Sequence, residues 1–280
     1  MTRSGRGVAA ALLALVVLVA AACDGGDESS STTTGTTPVE TTPETTSLAV
    51  YLLRDGKIAP VRRSVEATPG VARASLEALL EGPTSEERAG GLVSAIPGGT
   101  RLLDVAVADD VATVDLSGEF DDGGGSASMQ ARVAQVVATL TRFPTIERVG
   151  FRLDGEDVGA IGGEGVVVDP PVGRLDIEAQ TPQILVESPL PGDTVSSPIR
   201  VSGTANVFEA TVSFEVRDAA DAVIARSFTT ATSGTGTRGT FEHMLEVPDV
   251  DGPVTIVAFE ASAEDGSPLH VVRVPVTIAR

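Results

Sequence analysis

Three carboxylates stand close together in the sequence, where they could bind a cation or work as an acid–base pair. Glu119, Asp121 and Asp122 directly precede the glycines 123–125. Calcium favours carboxylate oxygens, but its loop sites need acids at alternating positions before a glycine, and that spacing is absent. Paired carboxylates also hydrolyse glycosidic bonds. We therefore predict no metal site here, and we keep an exported enzyme acting on wall glycan or peptide through these acids as an alternative.

A glycine pattern later in the chain has the spacing of a dinucleotide-binding loop. Gly234, Gly236 and Gly239 spell G-x-G-x-x-G. That loop binds a pyrophosphate only where it leads from a strand into a helix, whose amino terminus then faces the phosphates. Residues 240–245 alternate in polarity as a strand does. We predict a hairpin loop and no cofactor.

The two histidines are the remaining candidates for acid–base chemistry. His243 and His270 both lie in predicted strands. Neither has a zinc-ligand partner at motif spacing or a nucleophile motif nearby. We predict no catalytic residue.

The acidic cluster lies in a strand–helix–strand segment, residues 111–155, which must position it. Residues 111–116 alternate in polarity and predict a strand, and residues 146–153 predict a second one. The helix between them ends before Pro144, because proline disfavours helical geometry in the residue that precedes it. Its apolar positions form one stripe, which must pack on a sheet: Met129, Val133, Val136, Val137 and Leu140.

Five polar residues of this segment are candidate contacts for a partner. Asp115 and Ser117 are expected to cap a turn, since such side chains bond nearby backbone amides. Glu119 belongs to the acidic cluster. Gln135 and Thr139 lie four residues apart on the helix and are expected to face solvent or a partner.

The amino terminus predicts export and lipid anchoring. A 15-residue apolar run, residues 8–22, follows two arginines and is too short to span a bilayer comfortably. It ends in Ala20-Ala21-Ala22-Cys23, which resembles the bacterial lipobox, although Ala20 replaces the branched residue that this motif prefers. The resemblance implies that residues 1–22 are a lipoprotein signal peptide and that Cys23 carries acyl chains such as palmitate, which hold the protein to the extracytoplasmic face of the cell membrane. Ordinary cleavage near Ala22 is the alternative.

Residues 23–47 are rich in Thr, Ser, Pro and acids and poor in apolar residues. Such a segment buries too little surface to offset the entropy of ordering it. We predict a disordered tether.

The first folded domain is predicted at residues 48–165. Hydrophobic periodicity and turn residues give the order β-β-α-β-β-α-β, which indicates an α+β domain. Four pieces of the chain resemble the GerMN domain of sporulation and germination proteins, which is common in exported actinobacterial lipoproteins: residues 50–63, 78–102, 111–120 and 135–155. The resemblance implies a domain for assembly in the cell envelope, without established catalytic residues.

A linker is predicted at residues 166–182 and a second domain at residues 183–280. Seven short strands separated by turns indicate an immunoglobulin-like β-sandwich. The segments 188–212, 233–241 and 259–278 resemble the Gmad2 family, an immunoglobulin-like domain that accompanies germination modules. The stretch 206–210 is the most specific part of that resemblance.

The charge narrows the choice of partners. A formal net charge of −19 repels nucleic acid, so we predict none as a partner. Together these features predict a lipid-anchored, non-catalytic assembly or binding protein of the cell envelope. Its predicted partners are the membrane, through Cys23, and envelope proteins or a cell-wall polymer; association with further copies of the chain stays open.

Overall fold

The computed structural model describes residues 44–162, 165–248 and 250–279. The predicted signal peptide, Cys23 and most of the predicted tether lie outside these ranges. The tether prediction is wrong for residues 45–47, because strand β1 already begins at Thr45 and pairs there with Glu66. Threonine is β-branched and favours strands, which explains why a Thr-rich stretch continues into one.

The first domain follows the predicted order of elements, which we number along the chain. Its strands are β1 (Thr45–Arg54), β2 (Lys57–Glu66), β3 (Leu102–Ala108), β4 (Val111–Leu116), β5 (Arg148–Leu153) and the short β6 to β9 (Glu156–Asp157, Ala160–Ile161, Val166–Val167 and Val172–Gly173). Its helices are α1 (Val71–Leu80), α2 (Ser85–Ala89), α3 (Ser126–Leu140) and two 3₁₀ helices, Gly118–Asp121 and Arg174–Gln180.

Two sheets make up most of this domain. Strands β1 and β2 form a separate hairpin, whose turn residues Asp55 and Gly56 have φ angles of 51° and 74°. Both angles are positive, as a tight hairpin turn requires, and Asp-Gly tolerates them. The second sheet has the order β3-β4-β5-β6, with β9 also paired to β5. Strands β4 and β5 are parallel, and α3 is the crossover between them.

Helix α3 is the centre of this domain. Met129 and every residue of 131–140 are buried, because α1, the β1–β2 hairpin, β5 and the 3₁₀ helix Arg174–Gln180 all pack on it. The apolar stripe is therefore confirmed as core, but no residue in the second half of the helix faces solvent.

The prediction of a linker at residues 166–182 is wrong, because this segment is part of the first domain. Val168, Val172 and Ile177 are buried in the core of the first domain. Strand β9 extends the sheet beside β5, and the 3₁₀ helix packs on α3. The segment has three prolines, which favoured a linker, but its buried apolar residues fix it in the core.

The second domain is a sandwich of a three-stranded sheet, β10-β12-β15, and a five-stranded sheet, β11-β17-β16-β13-β14. Its strands are β10 (Ile184–Ser188), β11 (Thr194–Val195), β12 (Ile199–Ala205), β13 (Thr211–Arg217), β14 (Val223–Thr230), β15 (Gly239–Leu245), β16 (Gly252–Ala261) and β17 (Pro268–Ile278); a 3₁₀ turn, Phe208–Ala210, precedes β13. The inner faces of both sheets share one aliphatic core. In the described part of the chain, no helix has the length and apolarity needed to cross a bilayer.

Strand β10 joins the two domains. Successive side chains of a strand point to opposite faces. Ile184 and Val186 accordingly belong to the core of the sandwich, whereas Leu185 belongs to the core of the first domain. One strand thus contributes to both cores, and the two domains form one compact unit.

Candidate functional site

Gln135 and Thr139 do not face solvent or a partner, contrary to the prediction. Both are fully buried, and both bond to the backbone of Tyr51 on strand β1. The Tyr51 N–H donates to Thr139 Oγ1 at 3.1 Å, and Gln135 Nε2 donates to the Tyr51 carbonyl at 3.0 Å. Gln135 Oε1 also accepts from the Ala95 N–H at 2.8 Å.

The register of the hairpin explains these bonds. Pairs in an antiparallel hairpin alternate between hydrogen-bonded and non-hydrogen-bonded, and Tyr51 opposite Pro60 is a non-bonded pair, so its N–H and C=O point away from β2, as those of Leu53 do toward Val93. The polar backbone groups of Tyr51 therefore need partners on the other edge of β1. Residues four apart on α3 are spaced to supply both.

The other three predicted contacts lie at the end of β4. Asp115 Oδ1 accepts a 3.0 Å bond from the Gly155 N–H, so it caps the turn after β5. Ser117 is buried and its Oγ accepts from the Arg101 N–H at 2.9 Å. Glu119 pairs with Arg101 at 3.3 Å, and a hydrogen bond from Ser117 is the main cause that lowers the pKa of Glu119. Ser117 and Glu119 thus meet at Arg101, whereas Asp115 caps a different turn, so they do not form the single cap that the sequence suggested.

The acidic cluster has a buried counter-charge that sequence reasoning missed. Arg132 of α3 is 3% exposed and donates to the carbonyl oxygens of Ala95, Phe120 and Gly123 at 3.0, 2.7 and 2.7 Å. Burial lowers the pKa of Arg132, and the charges of two acids of the cluster act in the opposite direction. A lone arginine in an apolar helix pattern was the only signal of this contact. Within the described ranges, no group of three His, Cys, Asp or Glu side chains is arranged to hold a metal ion.

One polar centre between the domains is built on Tyr51. Its ring is fully buried, and its hydroxyl donates to Glu187 Oε1. Arg174 lies over the ring at 5.1 Å from the ring centre and pairs with Glu187 at 3.0 Å. Burial is the main cause that raises the pKa of Tyr51 well above its ordinary value, and the charge of Glu187 adds to it. The phenol therefore stays protonated and acts as a donor.

A second polar centre lies between the 3₁₀ helix Arg174–Gln180 and the sandwich. Arg238 binds the Glu178 carboxylate with two bonds of 2.7 and 3.0 Å, and only 9% of its side chain is exposed. Asn206 Nδ2 also donates to Glu178 at 3.0 Å. Burial acts to raise the pKa of Glu178, but these hydrogen bonds outweigh it and lower the pKa.

The glycine pattern has a structural role at this second centre. It lies in the loop that leads from β14 in one sheet to β15 in the other, so the predicted hairpin is wrong. A strand follows the loop, as predicted, and not a helix. Asn206 Oδ1 accepts from the Gly236 N–H at 2.8 Å, which fixes the loop that carries Arg238.

The histidines remain within the second domain. His243 Nε2 lies 2.6 Å from Ser227 Oγ, and the imidazole stacks on Phe214. His270 has a φ angle of 52° and lies 3.7 Å from Glu260.

A groove of about 770 Å³ opens between the domains beside these centres. Both domains contribute: the tip of the β1–β2 hairpin from one, and strands β10 and β17 from the other. Apolar side chains such as Ile58 and Val271 alternate with the basic groups of Arg54, Lys57 and Arg273. Lys57 Nζ donates to the Ala179 carbonyl at 2.6 Å, so this basic group is fixed in place. A groove of this size and mixed lining is suited to binding a ligand or a peptide segment.

Comparisons with known proteins assign both domains. Residues 49–159 match the Germane family, described as sporulation and spore germination, and residues 183–267 match Gmad2, the immunoglobulin-like domain of bacterial spore germination. No protein of curated function is significantly similar in sequence.

Three solved structures resemble parts of the chain. The tandem GerMN domains of the sporulation protein GerM from Bacillus subtilis are 18% identical over 74% of this chain, with a TM-score of 0.44, and the match spans only 64% of that protein chain, less than two thirds. The first GerMN domain of the same protein is 25% identical over 46% of this chain and 98% of its own (TM-score 0.39). A proposed lipoprotein from Clostridium perfringens is 26% identical over 49% of this chain and 93% of its own (TM-score 0.36).

The two family matches confirm both resemblances and the predicted fold class, an α+β domain followed by an immunoglobulin-like sandwich. The protein therefore contains a Germane domain of the sporulation and spore germination family, residues 49–159, followed by a Gmad2 domain, residues 183–267.

Proposed function

We propose that this protein is an exported, lipid-anchored component of the cell envelope that binds an envelope protein or a cell-wall polymer without catalysis. The observation that carries the proposal is the groove that both domains line. Its walls are fixed relative to each other by the ion pairs of Arg174 and Arg238 and by the shared strand β10. A preformed groove loses less entropy on binding than a mobile one, so it favours recognition.

Support for the lipid anchor comes from the sequence alone. The apolar run before Cys23 and the position of this single cysteine support export and acylation at the extracytoplasmic face. Replacing Cys23 by Ser is expected to abolish incorporation of labelled palmitate and to release the protein into the medium. Retention of label in the Cys23→Ser variant would contradict the anchor.

The alternative, an enzyme that uses carboxylates of the first domain, has no specific observation in its favour. Glu119 is paired with Arg101, and Asp121 accepts a hydrogen bond from the Gly162 N–H. These acids hold neighbouring loops of the domain, and they do not line the groove.

Photocrosslinking in native membranes tests the groove. Val271 lines the groove and is 45% exposed, whereas Val107 lies outside it and is 46% exposed. A photoreactive residue at position 271 is expected to give a discrete adduct that the same residue at position 107 does not give. Identical adducts from both positions, or no adduct from position 271, would refute the groove as the binding surface.

A further inference from the structure

A second, smaller cavity of about 190 Å³ lies at the junction of the two domains and has an unusual charge. Three arginines line it, each from a different element: Arg142 after α3, Arg174 at the start of a 3₁₀ helix, and Arg238 in the glycine loop. Among the described residues that line it, Glu187 is the one acid. In a chain with 39 acids and 20 Lys and Arg residues, this reverses the general excess of negative charge.

Within the described residues, Arg238 uses four of its five N–H donors, on Glu178, Thr204 and the Pro182 carbonyl, whereas the other two arginines keep more of theirs. Arg174 Nε donates to Thr141 Oγ1, and its Nη2 contacts the Ala138 carbonyl, Glu187 and the Tyr51 hydroxyl. Its Nη1 has no protein partner among the described residues. Arg142 makes a single bond, from Nη2 to the Glu187 carbonyl at 3.1 Å, and has no carboxylate partner.

A hydroxyl completes the set of donors. Thr204 Oγ1 accepts from Arg238 Nη1 at 3.2 Å, so its own hydrogen is free to donate into the cavity. The charges nearly balance without a ligand: Glu178 neutralises Arg238 and Glu187 neutralises Arg174. Arg142 is the surplus, and it leaves one net positive charge beside unused guanidinium donors.

We infer that this cavity is a binding site for a phosphate group, in the form of a singly charged oxyanion. Guanidinium groups bind phosphate oxygens through paired, charge-assisted hydrogen bonds. The free donors of Arg142, Arg174 and Thr204 come from three separate elements, so they suit the tetrahedral oxygens of phosphate better than the planar oxygens of a carboxylate. The volume is several times the roughly 30 Å³ that one water occupies in the liquid, so a phosphate group fits. The site is distinct from the groove, because none of its three arginines lines the groove.

Calorimetry with the mature full-length protein tests this site, with inorganic phosphate as the probe at low ionic strength. Arg142→Gln is the test variant, because Arg142 is exposed and makes one bond, so the fold should persist. Arg88→Gln is the matched control: Arg88 is also exposed, has no carboxylate partner within the described residues, and bonds one backbone carbonyl outside the cavity. We expect Arg142→Gln to weaken phosphate binding about tenfold, the factor for one lost bond to a charged group, and Arg88→Gln to change it less than twofold.

Three results would overturn the inference: no measurable phosphate binding by the wild-type protein, equal weakening by both variants, or acetate binding as tightly as phosphate. Two further probes distinguish the source of the group. Binding of a soluble glycerol phosphate oligomer would assign a wall polymer, and cosedimentation with phosphatidylglycerol vesicles would assign a lipid headgroup. The groove crosslinking does not use Arg142, so it reports on the proposed function independently.

Discussion

Gln135 and Thr139 allow a sharp test, because a buried role and a role in partner contact predict opposite results. We consider Gln135→Met and Thr139→Val, which keep side-chain volume but remove the hydrogen bonds. Thr139→Val leaves the buried Tyr51 N–H without an acceptor, at a cost of about 1–3 kcal/mol. Gln135→Met leaves both the Tyr51 carbonyl and the Ala95 N–H without partners, so about 2–4 kcal/mol is expected.

Urea unfolding followed by circular dichroism measures these losses. With an m-value of ~3 kcal/mol/M or somewhat more for a chain of this size, the two variants should lower the midpoint by up to about 1 M without changing m. Gln130→Met is the control, since Gln130 lies on the same helix but is exposed and bonds only Gln180. Losses below ~0.5 kcal/mol in the two test variants, the range of surface substitutions, would refute the buried arrangement.

Three further predictions concern an ion pair between the domains, a buried arginine of α3 and a close approach in the sandwich. Glu178→Gln should lower the free energy of unfolding by about 2 kcal/mol at pH 7, less than the ~3–5 kcal/mol of a fully buried pair, because 37% of the Glu178 side chain is exposed. The fold lowers the pKa of Glu178, so its contribution to stability is complete above the unfolded pKa near ~4.3 and is lost as pH falls through the folded pKa. Acid unfolding curves of wild type and variant should therefore converge. Arg132→Met should cost about 2–4 kcal/mol in urea unfolding, because three backbone carbonyls lose their donor, and an unchanged midpoint would contradict the buried site. Gly203→Ala should cost at least about 3 kcal/mol, because its Cβ would lie 2.0 Å from a carbonyl oxygen of β10, whereas the open position Gly159 should accept Ala; equal thermal melting of both variants would rule out this close approach.

The order of elements could be predicted because each depends on local signals. The strands of the sandwich alternate in polarity and end at turn residues, and all seven predicted ones are present. The β1–β2 turn follows from Asp55-Gly56, and the stop of α3 from the proline that follows. These signals act within a few residues, so a single sequence contains them in full.

The burial of polar residues could not be predicted in the same way. From the sequence alone, Gln135 and Thr139 are expected on the solvent-facing side of the helix, because helix periodicity assigns polar residues to that side. Their true partners are backbone groups of Tyr51, which is 84 and 88 residues away in sequence. Tyr51 can bond to these side chains only once the unpaired edge of β1 packs against α3. Local sequence patterns do not show which elements pack together.

The junction of the domains shows why both candidate sites depend on the segment that the sequence suggested was a linker. Arg174 and Glu178 form ion pairs with the sandwich, and both lie between the ranges matched by the two family models, 49–159 and 183–267. A free linker would let the Germane and Gmad2 domains move independently, and the groove and the arginine cavity would then exist only part of the time. With this segment packed on α3 and paired to Glu187 and Arg238, both sites keep one geometry. Residues 174–187 therefore join the two domains into one compact unit, and neither candidate site is complete in one domain alone.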